Sequence, residues 1–195
     1  MILEPLGDTA WRIELPEGAN RPAIQAFLRA QRGVVDVVVT DRHALVVFDP
    51  AEPPDDPRRA IESMTGATIG DVTEHVVRVR YDGDDLPDVA RAIGRSIDDV
   101  IVLHAGTYTV ELIGFLPGFA YLGELPSALH LPRRSTPRPR VPALAVGIAM
   151  QRTAVYPFAS PGGWHLIGHA LDFRPFDAIH GARLRLGDRV RFVPA

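Results

Sequence analysis

Short runs alternating apolar and polar side chains dominate this chain, and only a few stretches carry the three-to-four-residue spacing of a helix. AWRIEL (10–15) alternates and predicts a strand. In RPAIQAFLRAQ (21–31), Ile24, Phe27, Leu28 and Gln31 recur at helical spacing, and Pro22 suits a first turn. VVDVVVT and ALVVF flank DRH, which reads as a hairpin of β-branched residues. DPRRAIESMTG (56–66) predicts a second, amphipathic helix stopping at Gly66. Together these elements predict a small α+β N-terminal domain, residues 1–73.

A second pattern starts at HVVRVRY (75–81), where Val77, Val79 and Tyr81 share one face. LPDVARAIG and SIDDVIVLHAG predict two short helices, the second with Ser96 as N-cap and Asp98 and Asp99 at the favourable end of the dipole. TYTVELIGF alternates as a strand. Beyond Pro117, short strands are broken by Gly and Pro at close intervals, and RLRLGDRVRFVP predicts a terminal hairpin turning at Gly187 and Asp188. Repeated short strands with turn signals predict a mainly-β barrel over residues 74–195.

Composition narrows the chemistry. The 195 residues are 46% hydrophobic and 23% charged with a net charge of −3, a globular balance that gives no overall pull toward nucleic acid. MILEPLGDTAW lacks the basic start and apolar run of a signal peptide, and we expect a cytoplasmic protein. With no cysteine, thiolate nucleophiles, disulfides and thiolate-bound metals are excluded. All 21 basic side chains are arginine. Without lysine there is no Walker-type phosphate loop, no Schiff base and no biotin attachment, so any anion must be met by arginine, backbone N–H or a hydroxyl.

Those arginines are unevenly placed. From Leu125 to Leu171 there is no Asp or Glu, while Arg133, Arg134, Arg138, Arg140 and Arg152 all fall inside. PRRSTPRPRVP spaces prolines between arginines and hydroxyls, which stiffens a segment suited to phosphate or carboxylate; the alternative is a solvated basic loop. Two loops rich in glycine and aromatics, GFLPGFAYLGELP (114–126) and SPGGWHLIGH (160–169), read either as tight barrel turns or as binding loops. Phe115 is expected to fill the core, whereas Gly162 and Gly163 after Ser160 and Pro161 could form a nest of N–H groups for an oxyanion. His104, at a helix end, is a candidate acid or base or a structural hydrogen-bonder. The remaining histidines lack metal-site spacing, and Ser160 lacks a nucleophile-elbow pattern.

GFLPGFAYLGELP, LPRRSTPRPRVPALAVGIA and YPFASPGGWHLIG resemble, in order and spacing, the hallmark segments of the family of 5-oxoprolinase B subunits, which also contains the Kip-type kinase inhibitors. The resemblance implies an N-terminal α+β domain and a cyclophilin-like β-barrel equivalent to a carboxyltransferase subdomain. It also implies partnership with a homologous C subunit, commonly as a heterotetramer, and with a separate A subunit, in ATP-dependent opening of 5-oxoproline to glutamate. The alternative it carries is a non-catalytic kinase inhibitor. On this reading His104 and Arg138 are catalytic. Pro117, Gly118, Tyr121, Arg133, Arg134, Thr136, Arg140, Ser160, Pro161, Gly162, Gly163 and Trp164 bind substrate, ATP acts at the level of the complex, and no metal is held. The chain departs from the family pattern at Leu144-Ala145, where Gly-Ser is usual. It departs again at Met150, Arg152 and Ala154, which replace two glycines and a glutamine. Leu144, Met150, Val155 and Phe158 are expected to form one apolar contact surface.

Overall fold

The computed structural model describes residues 1–63 and 72–195. It separates into two compact units, Met1–Val72 and Thr73–Ala195.

The first unit holds an antiparallel sheet in the order β1-β2-β4-β3, made of β1 (Leu3–Pro5), β2 (Ala10–Glu14), β3 (Val34–Val39) and β4 (His43–Phe48). Helix α1 (Arg21–Arg29) starts where Asn20 accepts a hydrogen bond from the Ala23 amide and Pro22 occupies the first turn. It buries Ile24 and Leu28 and lies against β3. Helix α2 (Arg58–Ser63) is the described part of the segment predicted over 56–66; Gly66 lies outside the described residues.

In the second unit, seven strands close into a barrel. They are β5 (Glu74–Arg80), β6 (Thr107–Ile113), β7 (Ala120–Gly123), β9 (Ala145–Ala149), β10 (Arg152–Val155), β12 (His165–Ala170) and β15 (Arg189–Pro194). Around the barrel the order is β10-β7-β6-β15-β5-β12-β9, and it fits a cyclophilin-like barrel. Among the described residues, only β15 and β5 are parallel neighbours. Two small sheets complete the unit, pairing β11 (Ser160–Gly162) with β8 (Arg138–Val141) and β13 (Phe176–Asp177) with β14 (Gly181–Ala182). Helices α3 (Leu86–Ile93) and α4 (Ile97–His104) send Leu86, Val89, Ala90 and Val100 into the cluster formed by Val77, Val79, Leu122, Val146, Ile148 and Phe192, so both helices close over the barrel core. The Ser96 cap of α4 forms, with a reciprocal Asp99 bond.

Two expectations change. Residues 183–186 are not a strand, because β15 pairs on one side with β5 and on the other with β6, leaving no edge for a hairpin partner. Asp188 instead closes a turn by accepting from the Arg185 amide at 2.8 Å. Nor do Leu144, Met150, Val155 and Phe158 make one surface. Val155 is in the core, Leu144 is half-buried, and of the four only Met150 and Phe158 are exposed.

Candidate functional site

Residue alternation along three neighbouring strands builds the floor of the site. On β9, Val146 and Ile148 point into the barrel, while Ala145 and Ala149 belong to a second cluster with Phe119, Val141, Ala154, Tyr156, Trp164 and Leu166. Small residues on that outer face let large rings lie close. At Gly147, between the two alanines, an added Cβ would sit 3.3 Å from the Trp164 Cβ and 3.4 Å from the Tyr156 ring.

The rings meet edge to face around Phe119. Tyr121, Tyr156 and Trp164 lie at centroid distances of 4.9, 5.2 and 5.7 Å from it, each contact adding about 0.5–1.5 kcal/mol beyond the area buried. They floor a pocket of about 210 Å³ completed by Phe115, Arg133, Pro137, Pro161, Gly162 and Gly163. Pairing of β8 with β11 brings the basic segment beside the SPGG loop, and the Arg134 amide donates to the Gly163 carbonyl at 2.8 Å. Burial raises the Tyr121 phenol, and raises that of Tyr156 to about 12 despite the nearby Arg133 and Arg138, so both hydroxyls stay protonated at neutral pH.

Of the residues singled out from the sequence, Tyr121, Arg133, Pro161, Gly162, Gly163 and Trp164 are therefore brought together in one pocket. Arg133 is exposed and, among the described residues, has no ion-pair partner. Arg134 and Arg138 are turned inward instead. Each donates to Asp85 Oδ1 at 2.7 Å, and that carboxylate is 3% exposed. Thr136 and Arg140 are exposed beside the pocket segment but do not line it. Pro117 is exposed, and Gly118 is a packing glycine whose Cβ would meet Phe176 and Pro175 at 2.8 Å. Ser160 is buried with its hydroxyl unpaired. The nest expected at Gly162-Gly163 is not formed, since neither residue has a positive φ. Gly162 is required for a different reason: a Cβ there would come within 2.5 Å of the Tyr156 hydroxyl.

His104 lies in the barrel interior, fully buried and away from the pocket. Its ring receives Tyr81 Oη at Nδ1 and meets Thr153 Oγ1 at Nε2, both at 2.8 Å, and Thr153 donates onward to the Gly147 carbonyl. That last donation fixes the direction of the chain. Thr153 must accept from His104 Nε2–H, so Nδ1 accepts from Tyr81. Burial pushes the imidazole down to about 3, which keeps it neutral. The geometry gives His104 a structural role in place of the acid–base role considered from its position at a helix end.

Phe115, expected in the core, is instead a residue of the site. It is 59% exposed at the pocket rim, 5.3 Å from Phe119, with φ of 72°. The Leu116 amide donates to the Gly114 carbonyl across it at 2.9 Å, a γ-turn of the rare positive-φ kind. A bulky residue held there is strained, and strain of this sort concentrates at functional sites. The flanking Gly114 and Pro117-Gly118 are the signal that could have found it. Leu144 and Met150 likewise have φ of 65° and 53°, at positions where the family pattern has glycine. Arg152, where the family pattern has glutamine, pairs with Glu111 at 3.1 Å and lies 6.0 Å from the Tyr121 ring.

A wider cavity of about 490 Å³ lies along residues 171–183 and, apart from Leu144 at its edge, involves none of the residues singled out from sequence. The aromatic pocket is favoured as the site because it unites three separated motifs.

Comparison with known proteins places the chain in a family. The model for the carboxyltransferase domain, subdomain C and D, matches residues 1–181. The chain belongs to that family. It is 34% identical to the 5-oxoprolinase B subunit of Bacillus subtilis strain 168, covering 98% of this chain and 91% of that protein. It is 51% identical to the 5-oxoprolinase B subunit of Escherichia coli O157:H7 over 115 residues, 57% of this chain, so that match spans about half the relative's length, 52%. Among solved structures, TTHA0988 superposes with a TM-score of 0.80 at 38% identity, covering 95% of this chain and 40% of that one. Among the described residues, no helix is long and apolar enough to cross a membrane.

Proposed function

We propose that this chain is the B subunit of an ATP-dependent 5-oxoprolinase-type amidohydrolase, with an α+β domain over residues 1–73 and a ligand-binding β-barrel over 74–195. It works in the cytoplasm with A and C subunits, the latter in a heterotetramer. The carrying observation is a small aromatic pocket with one uncommitted guanidinium at its wall, Arg133, in a chain whose relatives are named as 5-oxoprolinase B subunits.

5-Oxoproline is a compact ring bearing one carboxylate. Its ring faces match the Phe119, Tyr121, Tyr156 and Trp164 surface, and its carboxylate matches Arg133, which can present two parallel N–H donors. Protonated Tyr121 and Tyr156 add donors for a carbonyl oxygen. At about 210 Å³ the pocket is of a size for a compact ligand, below the ~300–1,000 Å³ that drug-sized molecules occupy. ATP acts at the level of the complex, and this chain binds and orients the lactam.

The test is reconstitution of the chain with its A and C partners, assaying glutamate release from 5-oxoproline and ATP. Activity is expected only when all three are present. Full turnover without this chain overturns the proposal.

A further inference from the structure

Asp85 occupies the N-cap position of α3, where an aspartate ordinarily satisfies the first free amides of the helix. Here its carboxylate makes no capping bond. Oδ1 accepts from Arg134 Nη1 and Arg138 Nη2, and Oδ2 from the Leu166 amide, all at 2.7 Å, while its own amide donates to the Leu166 carbonyl at 3.0 Å. Burial alone would raise this carboxyl; Arg138, the Leu166 amide and Arg134 outweigh it and hold it below the usual range.

The partners are informative. Arg134 and Arg138 bracket the segment that supplies Arg133 and Pro137 to one wall of the pocket. Leu166 stands two residues beyond Trp164, on the strand that follows the Pro161–Gly163 wall. Both walls are thus tied to one buried anion, and the Arg134 amide stitches them to each other at Gly163. We infer that Asp85 is a positioning residue, which gives up helix capping to hold Arg133 and Trp164 in register across the ligand pocket. This rests on the pocket being the 5-oxoproline site, but not on activity for its test.

The experiment uses Trp11→Phe as background, leaving Trp164 as the single tryptophan of the chain. In the full-length protein, Asp85→Asn should shift Trp164 emission to the red and raise its quenching by acrylamide, whereas Asp172→Asn, which removes a surface carboxylate paired with Arg78, should do neither. In the reconstituted complex, Asp85→Asn should raise KM for 5-oxoproline about tenfold or more, the consequence of losing one charge-assisted contact in the ligand site, with a much smaller change in kcat. A merely structural carboxylate would instead lower the amount of active protein, changing kcat with KM constant. Should Asp85→Asn fail to fold, Arg134→Gln and Arg138→Gln, each leaving Asp85 one guanidinium, carry the same readouts. Unchanged Trp164 emission and quenching in folded variants overturn the inference. A wild-type complex inactive on 5-oxoproline overturns the function proposed above while leaving the fluorescence arm to decide on Asp85.

Discussion

The two faces of β7, β10 and β9 are put to opposite uses. Toward the barrel interior these neighbouring strands present Ala120, Leu122, Val146, Ile148 and Val155, with Thr153 reserved for the His104 chain. Toward the outside the same strands present Tyr121, Ala145, Ala149 and Ala154, which carry the aromatic layer. The inner polar network is closed, Tyr81, His104, Thr153 and the Gly147 carbonyl each having a partner. The outer site keeps an exposed guanidinium and a strained aromatic rim. Polar groups sealed on one side give stability, and polar groups left open on the other are available to a ligand.

Breaking the inner network should produce the largest effect. The His104 pKa falls to about 3 when folded, against about 6.5 unfolded. The unfolded chain therefore binds the extra proton first, and stability is lost as pH drops from about 6.5 toward 3. The loss amounts to roughly 3–5 kcal/mol by the bottom of that range. Urea unfolding at stepped pH measures it. His104→Gln should flatten the slope between pH 6.5 and 4 while costing stability at pH 7, and an unchanged slope would contradict the assignment.

The outer site should respond in the reverse sense. Arg133→Ala is expected to weaken 5-oxoproline binding to the reconstituted complex by about ten- to a hundredfold, the worth of a charge-assisted hydrogen bond. The thermal midpoint should barely move, since an exposed substitution changes stability by no more than about 0.5 kcal/mol. Arg133→Lys should recover little, because an ammonium lacks the planar two-pronged geometry. Calorimetric titration beside a thermal melt separates the two effects.

The smallest and most pointed effect concerns Phe115. Phe115→Gly relieves a positive-φ conformation that costs a side-chain-bearing residue about 1–3 kcal/mol but gives up the edge contact with Phe119 and some chain entropy. We expect a net gain near 0.5 kcal/mol in denaturant stability together with a few-fold loss of ligand affinity. Opposite signs in the two measurements would identify strain kept for binding; a loss of both would return Phe115 to a packing role.

Much of this molecule is legible in the order of its residues. Alternation in AVGIA marks one large and one small face, the Ser96-Asp99 spacing specifies a helix start, and the three motifs nominate six of the ten residues lining the pocket. These features are local: a side chain's direction on a strand or its reach to a nearby amide depends on a few neighbours. What each arginine does is not local. The segment from Leu125 to Leu171 contains no acid, so its basic residues look alike, yet Arg134 and Arg138 meet a carboxylate 49 and 53 residues earlier in the chain and Arg133 does not. His104 reads as a chemical group until the barrel closes around it and desolvation removes its charge. Phe115 reads as core until the turn's φ aims it outward. Sequence determined most of the elements, the small face and the supply of cations; tertiary packing decided that residues 183–186 form no strand, which cation is spent on the fold, which histidine is dry and which aromatic is left in the open. Burial and through-space pairing arise only once distant strands are brought together.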